Sequence, residues 1–110
     1  MLDKWEKTRE LIALLKGAAP FEVEMTPELI AQLHAGTPPF DLEPLQTVRD
    51  VSYAGDEGGI LCHIQPEDSA RALVVSLTHL RVRRALPFAA AVFDYQKHRV
   101  KKLKKLHRAA

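Results

Sequence analysis

Apolar residues recur along the first part of the chain with a helical period. Residues 2–16 place an apolar residue on a common side every three or four positions, which predicts an amphipathic helix that ends at Gly17. The residues that define this side are Leu2, Trp5, Ile12 and Leu15, and Leu11 and Leu14 widen it.

A second helix is predicted over residues 26–36. The side chain of Thr26 can cap the helix, Pro27 suits the first helical position, and Gly36 can end it. The segment that follows, Thr37–Leu45, holds three prolines, each of which removes a backbone donor. This segment is therefore predicted to be an extended connector.

The apolar period then changes from 3.6 residues to two. Residues 47–54, 59–65 and 72–80 are rich in Val, Ile, Leu, Thr and Tyr, a composition that favours strands. Two short segments of turn-forming residues separate them, Gly55–Gly58 and Glu67–Ala70. The pattern predicts two hairpins, and hence a three-stranded antiparallel meander.

The alternation of side chains also predicts the register of this meander. The expected cross-strand pairs are Tyr53 with Ile60, Val51 with Cys62, Asp50 with His63, Ile64 with Leu73, and Cys62 with Val75. One face then carries only apolar or aromatic groups, namely Val51, Tyr53, Ile60, Cys62, Ile64, Leu73, Val75 and Leu77. The opposite face is mixed: Asp50, Ser52, Leu61, His63, Val74, Ser76, Thr78 and Leu80. A mixed face needs partial cover, from the first helix or from another copy of the chain.

A long helix is predicted from Pro87 onward, because no Gly or Pro follows to stop it. The predicted order is ααβββα. Strands grouped apart from helices favour the α+β class, here a three-stranded antiparallel β-meander flanked by two N-terminal helices and one long C-terminal helix. Residues 1–110 are predicted to form one domain, since shorter pieces would not bury a core of their own.

The composition, with 46% hydrophobic and 27% charged residues, is typical of a globular protein. A single cysteine, Cys62, excludes an internal disulfide, and the first residues lack the basic and then apolar pattern of a secretory signal. The longest apolar stretch, residues 85–93, is far shorter than the ~20 residues needed to cross a bilayer. We therefore expect a cytoplasmic protein without a transmembrane segment.

The net charge of +2 hides a strong asymmetry along the chain. Residues 1–68 hold 5 Lys/Arg and 13 Asp/Glu, a net charge of −8, whereas residues 69–110 hold 11 and 1, a net charge of +10. This asymmetry favours either an anionic partner for the C-terminal part or pairing between the acidic and basic parts, which folding alone can bring together.

The basic end of the last helix, residues 97–110, is the strongest candidate binding surface. Its predicted anion or nucleic-acid contacts are Lys97, Lys101, Lys102, Lys104, Lys105 and Arg108. The structural alternative is a solvated helix end, where positive residues are favoured by the helix dipole.

A second candidate is a polar site on the mixed sheet face. Asp50, His63 and Ser76 are the residue types of a hydrolytic triad, but a triad needs hydrogen-bond contacts and an oxyanion donor that strand faces seldom supply. A cross-strand ion pair between Asp50 and His63 is the favoured interpretation. No metal set or cofactor motif is recognised, because no CxxC or HxxxH pair occurs.

Three functions follow from these features. The first is a non-enzymatic binding or assembly module that acts through protein–protein contacts and forms a homodimer, with the mixed sheet face or the basic helix as its contact surface. The alternative is binding of the RNA or DNA backbone, or of an acidic protein, through the basic C-terminal helix. A small enzyme centred on Asp50 and His63 is the least favoured, since the chain offers no convincing nucleophile.

Overall fold

The computed structural model describes residues 3–36, 42–66 and 72–109, with side chains up to Leu106. Three helices and a five-stranded antiparallel sheet make up this part of the chain, which confirms the α+β class. The elements in chain order are α1 (Trp5–Ala18), β1 (Phe21–Met25), α2 (Pro27–His34), β2 (Leu45–Tyr53), β3 (Ile60–Ile64), β4 (Leu73–Ser76), β5 (Leu80–Val82) and α3 (Ala89–Ala109).

The sheet has the order β4-β3-β2-β1-β5 and is curled. Its two outer strands, β4 and β5, follow each other in the chain and are separated only by the 3₁₀ turn Leu77–His79. Three residues span little more than 10 Å when extended. The opposite edges of the sheet must therefore approach each other, which requires the strong curl.

The prediction of three strands was too narrow, because β1 and β5 extend the meander on the side of β2. In β1, the buried residues Phe21, Val23 and Met25 alternate with the exposed Glu22 and Glu24. This period of two was the signal for a strand. It is only five residues long, and Glu disfavours strands, so the segment did not stand out between the two predicted helices.

The third predicted strand, residues 72–80, is two strands joined by a turn. The Ser76 side chain accepts a hydrogen bond from the Thr78 N–H at 3.4 Å, which caps the 3₁₀ turn. Gln96 of α3 fixes the turn from outside, since its Nε2 donates to the carbonyls of Leu77 and Leu80, both at 2.7 Å. Leu80 therefore points into the core at 2% exposure and does not lie on the mixed face.

The predicted register is confirmed at every pair. Tyr53 lies opposite Ile60, Val51 opposite Cys62, Asp50 opposite His63, Ile64 opposite Leu73, and Cys62 opposite Val75. The sequence did not predict the β-bulge between Val48 and Asp50. It shifts the register of β2 by one residue, so that Val48 and Val51 are both buried.

The helices follow the predicted limits closely. Thr26 caps α2 and accepts the N–H of Leu29 at 3.3 Å. The last helix begins at Ala89, two residues after Pro87. Most of the connector Thr37–Leu45 and the loop Glu67–Ala70 lie outside the described residues.

The core lies between the concave side of the sheet and the two long helices. From α1 it receives Leu11 and Leu15, and from the start of α3 it receives Phe88 and Val92. The rings of Phe21 and Phe88 meet edge to face, with centroids 5.1 Å apart. This packing fixes α1 and α3 side by side over the sheet, and a pocket and a polar cluster lie where they meet. None of the described helices is long and apolar enough to span a membrane.

The burial of Cys62 predicts how its thiol reacts. Burial raises the pKa of the Cys62 thiol to about 12 from 9.0. At about pH 8 a disulfide reagent should therefore label the thiol only as fast as the protein unfolds, because the thiolate is the reactive form. The free energy of unfolding should also fall as the pH rises from 9.0 toward 12, since only the unfolded thiol ionises there. Native-state labelling at the rate of a free cysteine would contradict this.

Candidate functional site

The basic end of α3 is exposed to solvent. Lys97, Lys101, Lys102, Lys104 and Lys105 are all exposed. From Val100 to Leu106 no side chain is buried, and only Leu103 is half-buried. The last turns of the helix are therefore not covered by the rest of the described chain. Arg108 lies in α3, but its side chain is outside the described part.

This helix end has two sides. Lys97, Lys101 and Lys105 follow at intervals of four residues and so lie along one side, one turn apart. The apolar residues lie on another side, and of these Val100 and Leu106 are 42% and 54% exposed. The arrangement offers positive charge and an uncovered apolar strip on the same segment.

One residue of the basic run is not part of that surface. Arg99 is buried, with its side chain 3% exposed, and its Nη1 donates to Oδ2 of Asp3 at 2.9 Å. The Asp3 side chain is 1% exposed. Tyr53 donates its hydroxyl to the same Oδ2 at 2.7 Å. A buried ion pair thus joins the residues before α1, the end of β2 and the middle of α3.

The turn between β2 and β3 contacts Arg99 and its neighbour on α3, Tyr95. The other terminal nitrogen of Arg99, Nη2, donates to the carbonyl of Asp56 at 2.6 Å. The Tyr95 hydroxyl accepts the N–H of Ile60 at 2.9 Å. Gly59, with φ +65°, lies so close that a Cβ there would be 2.1 Å from the Tyr95 hydroxyl. We call Asp3, Tyr53, Gly59, Tyr95 and Arg99 the buried cluster.

Both tyrosines of the buried cluster are held as neutral phenols. Burial, and then the hydrogen bond to Asp3, raises the pKa of Tyr53 above its ordinary value. Burial also raises the pKa of Tyr95. Tyr53 therefore keeps its proton, and remains a hydrogen-bond donor to Asp3, to higher pH than a solvent-exposed tyrosine would.

Sequence reasoning did not find the buried cluster. Asp3 and Arg99 are 96 residues apart, and nothing local links them. A signal was present for Arg99, since it follows Val92 and Tyr95 at helical spacing on the buried side of α3. The surrounding lysines made Arg99 look like one more surface cation.

The predicted polar site on the sheet face is only partly assembled. Asp50 lies opposite His63, as predicted. The hydroxyl that contacts His63 belongs to Ser52, with Oγ 2.8 Å from Nε2. Ser76 instead donates to the carbonyl of Gly58 at 2.8 Å and shares a hydrogen bond with Thr78.

The Asp50 carboxylate is bound elsewhere. Its Oδ1 accepts the N–H of Val51 at 2.8 Å and lies 3.4 Å from Nζ of Lys16. The hydrogen bond from the Val51 N–H, followed by the hydrogen bond and the charge of Lys16, lowers the pKa of Asp50. Asp50 therefore does not orient the imidazole of His63, as the acid of a triad would. The arrangement is a polar patch with one Ser–His contact.

Within residues 3–36, 42–66 and 72–109, no group of three or more His, Cys, Asp or Glu side chains could hold a metal ion.

Comparison with known proteins gave no relationship: no family model, no curated protein and no solved structure matches this chain.

The ion pair of the buried cluster can be tested by substitution. Arg99→Met should lower the free energy of unfolding by about 3–5 kcal/mol, because it leaves the Asp3 carboxylate buried without a cation. Lys97→Met, at an exposed position of the same helix, should change it by no more than about 0.5 kcal/mol. Urea denaturation measures both. If Asp3→Asn does not recover part of the loss in the Arg99→Met background, the ion pair is not its cause.

The close approach of Gly59 can be tested separately. Gly55 and Gly59 have nearly equal φ values, +68° and +65°, but a Cβ at Gly55 meets nothing within 4 Å. The two Gly→Ala variants therefore share the backbone strain and differ only in the contact with Tyr95 and Arg99. Gly59→Ala should be the less stable by at least about 1–3 kcal/mol, the cost of an overpacked site. Equal melting temperatures would show that α3 does not press on the turn.

Proposed function

We propose that the chain is a non-enzymatic binding module that acts through protein–protein contacts, with the end of α3 as its contact surface. The supporting observation is the absence of cover: from Val100 to Leu106 no side chain is buried, although three of the seven are apolar. Helices draw most of their stability from packing an apolar side against a neighbour. A partner that covers this side would stabilise the last turns of α3.

The partner should present acidic groups around an apolar strip. Beyond Asp94 the described part of α3 holds no acidic residue, so its lysines are not neutralised within the helix end. Two such ends packed on each other would bring lysine against lysine, which is unfavourable. An acidic surface would gain from the same charges.

A second copy of the chain supplies the acidic groups that this contact requires. Residues 1–68 carry a net charge of −8, so the end of α3 from one copy would be attracted to the acidic part of another. A two-fold arrangement would form this contact twice. The proposed assembly is therefore a homodimer in which each basic helix end lies on the acidic part of its partner.

Binding of RNA or DNA is the second candidate, and a separate observation favours it. Lys97, Lys101 and Lys105 lie one turn apart on an exposed helix side, so all three are available to phosphates of one backbone. This function makes no use of Val100 and Leu106. The two candidates therefore differ in which residues they need.

Two variants of α3 separate the candidates. The apolar variant carries Val100→Ser and Leu106→Ser, and the lysine variant carries Lys97→Gln, Lys101→Gln and Lys105→Gln. Sedimentation velocity at low and at physiological ionic strength should show a homodimer for the unchanged chain. Each variant should raise the dissociation constant of the homodimer about tenfold or more, since the central contacts of an interface can contribute over 1 kcal/mol each. Arg84→Gln, an exposed cation outside both α3 and residues 1–68, serves as the control and should leave the dimer affinity unchanged.

The contrary outcomes are distinct. A monomer at every concentration and ionic strength contradicts the homodimer. Fluorescence anisotropy with a generic RNA or DNA then tests the alternative. An affinity that falls steeply with salt, is lost in the lysine variant and is unchanged in the apolar variant would replace the first function by the second.

A further inference from the structure

A pocket of about 440 Å³ lies between α1 and the first half of α3. Its volume falls in the range of small-molecule sites, about 300–1,000 Å³. The lining residues that decide what it can bind are Lys4, Lys7, Glu10 and Leu14 on one wall and Ala91, Asp94 and His98 on the other.

The two helices run in opposite directions along this pocket. Asp3, just before α1, pairs with Arg99, so the start of α1 lies beside the middle of α3. From this contact the lining residues of α1 run forward to Leu14, and those of α3 run back to Ala91. Positions on the two walls can therefore be compared, at a rise of about 1.5 Å per residue.

The charges of the lining change sign along the pocket. Lys4 and His98 are the lining residues nearest to the Asp3–Arg99 pair, and they form a cationic end. Counted from that pair along each helix, Lys7 and Asp94 lie within about one helical turn of the same level, one on each wall. Glu10 follows beyond them. The order is therefore cations first and carboxylates second.

Lys7 and Asp94 face each other across the pocket without a bond between them. Within the described part of the chain, neither side chain forms an ion pair. Both are exposed. A ligand that carries a negative and a positive group side by side can therefore contact both walls at this level.

The sum of the charges favours such a ligand over a singly charged one. Asp3 is neutralised by Arg99 in the interior and takes no part. The two lysines of the lining balance its two other carboxylates, and His98 adds positive charge to the cationic end when it is protonated. A purely anionic ligand would meet the carboxylates, and a purely cationic one would meet the lysines.

The far end of the pocket is apolar. Leu14 and Ala91 lie there, beyond the carboxylates. The Leu14 side chain is 54% exposed, so an apolar group placed against it would remove apolar surface from water. The pocket thus presents cations, then carboxylates, then an apolar wall.

We propose that this pocket binds a free α-amino acid with an aliphatic side chain, which carries the complementary groups in the same order. Its carboxylate accepts from Nζ of Lys7, and its ammonium group donates to the carboxylate of Asp94. Its side chain lies against Leu14 and Ala91. Both polar contacts are charge-assisted hydrogen bonds, the stronger kind. The site uses no residue of the contact surface at the end of α3, so it stands whether or not the chain dimerises.

A matched series of ligands tests the three contacts. The probes are leucine, isocaproate, isopentylammonium and glycine, and amide chemical shifts of the labelled full chain report binding. Leucine should bind, with shifts centred on Lys7 and Asp94. Isocaproate lacks the ammonium group, isopentylammonium lacks the carboxylate and glycine lacks the side chain. Each should bind at least about tenfold more weakly than leucine, since each loses one charge-assisted contact or the apolar contact.

Two variants test the polar contacts one at a time. Asp94→Asn should weaken leucine binding at least about tenfold but should not weaken isocaproate, which has no ammonium group to lose. Lys7→Gln should weaken leucine to a similar extent but should not weaken isopentylammonium. The matched controls are Glu6→Gln and Arg9→Gln, at exposed positions of α1 that do not line the pocket, and they should leave binding unchanged.

Further variants test the location. Ala91→Leu fills the pocket and should abolish binding, while Ala90→Leu, at an exposed neighbour that does not line it, should leave binding unchanged. Leu14→Ser removes part of the apolar wall at an exposed position and should weaken leucine binding severalfold. Circular dichroism confirms that each variant is folded.

Four results would overturn the proposal. The first is the absence of shifts with leucine up to its solubility limit. The second is an affinity for isocaproate or isopentylammonium equal to that for leucine. The third is an Asp94→Asn variant that loses isocaproate as much as leucine, which would make the role of Asp94 structural. The fourth is binding that survives both Ala91→Leu and Leu14→Ser, which places the ligand elsewhere.

Discussion

The ion pair between Asp3 and Arg99 is the contact on which the arrangement of the molecule depends. Both side chains are almost fully buried, so neither charge is tolerable without the other. The pair lies where the residues before α1, the end of β2 and the middle of α3 meet. The contacts of the carboxylate with the guanidinium and with the Tyr53 hydroxyl therefore hold these three parts in a defined relative position. The position of α3 then determines how its last turns project.

The buried cluster also explains the local shape of the hairpin formed by β2 and β3. Gly59 adopts a positive φ and has no side chain, so Tyr95 and Arg99 can press directly on the backbone of the turn. The turn contributes the Asp56 carbonyl and the Ile60 N–H in return. Polar backbone groups that a hairpin usually exposes to water are thus satisfied by a helix. The buried polar contacts therefore lie beside the turn between β2 and β3, whereas the apolar core lies under the middle of the sheet.

Local patterns in the sequence predicted the local structure well. The alternation of apolar and polar residues predicted the register of β2, β3 and β4, because a slip of one residue would mix polar and apolar groups on the inner face. The Thr26-Pro27 pair located the start of α2. The bulge beside Asp50, the turn after Ser76 and the pairing of β1 with β5 could not be predicted, because each depends on contacts with residues distant in the chain, such as Gln96. The candidate sites divide in the same way. The exposed lysines are visible in composition, whereas the buried cluster exists only once residues 96 positions apart have met.

The distance between Asp3 and Arg99 along the chain also constrains the order of events on the ribosome. A domain that is synthesised from its amino end usually begins to fold before synthesis is complete. Here the Asp3 carboxylate has no cation to accompany it into the interior until Arg99, 96 residues further along the chain, has been synthesised. Burial of Asp3 before that point would leave a lone negative charge in the core. Docking of the segment before α1 as part of the ion pair therefore waits for the synthesis of α3, which follows every strand of the sheet.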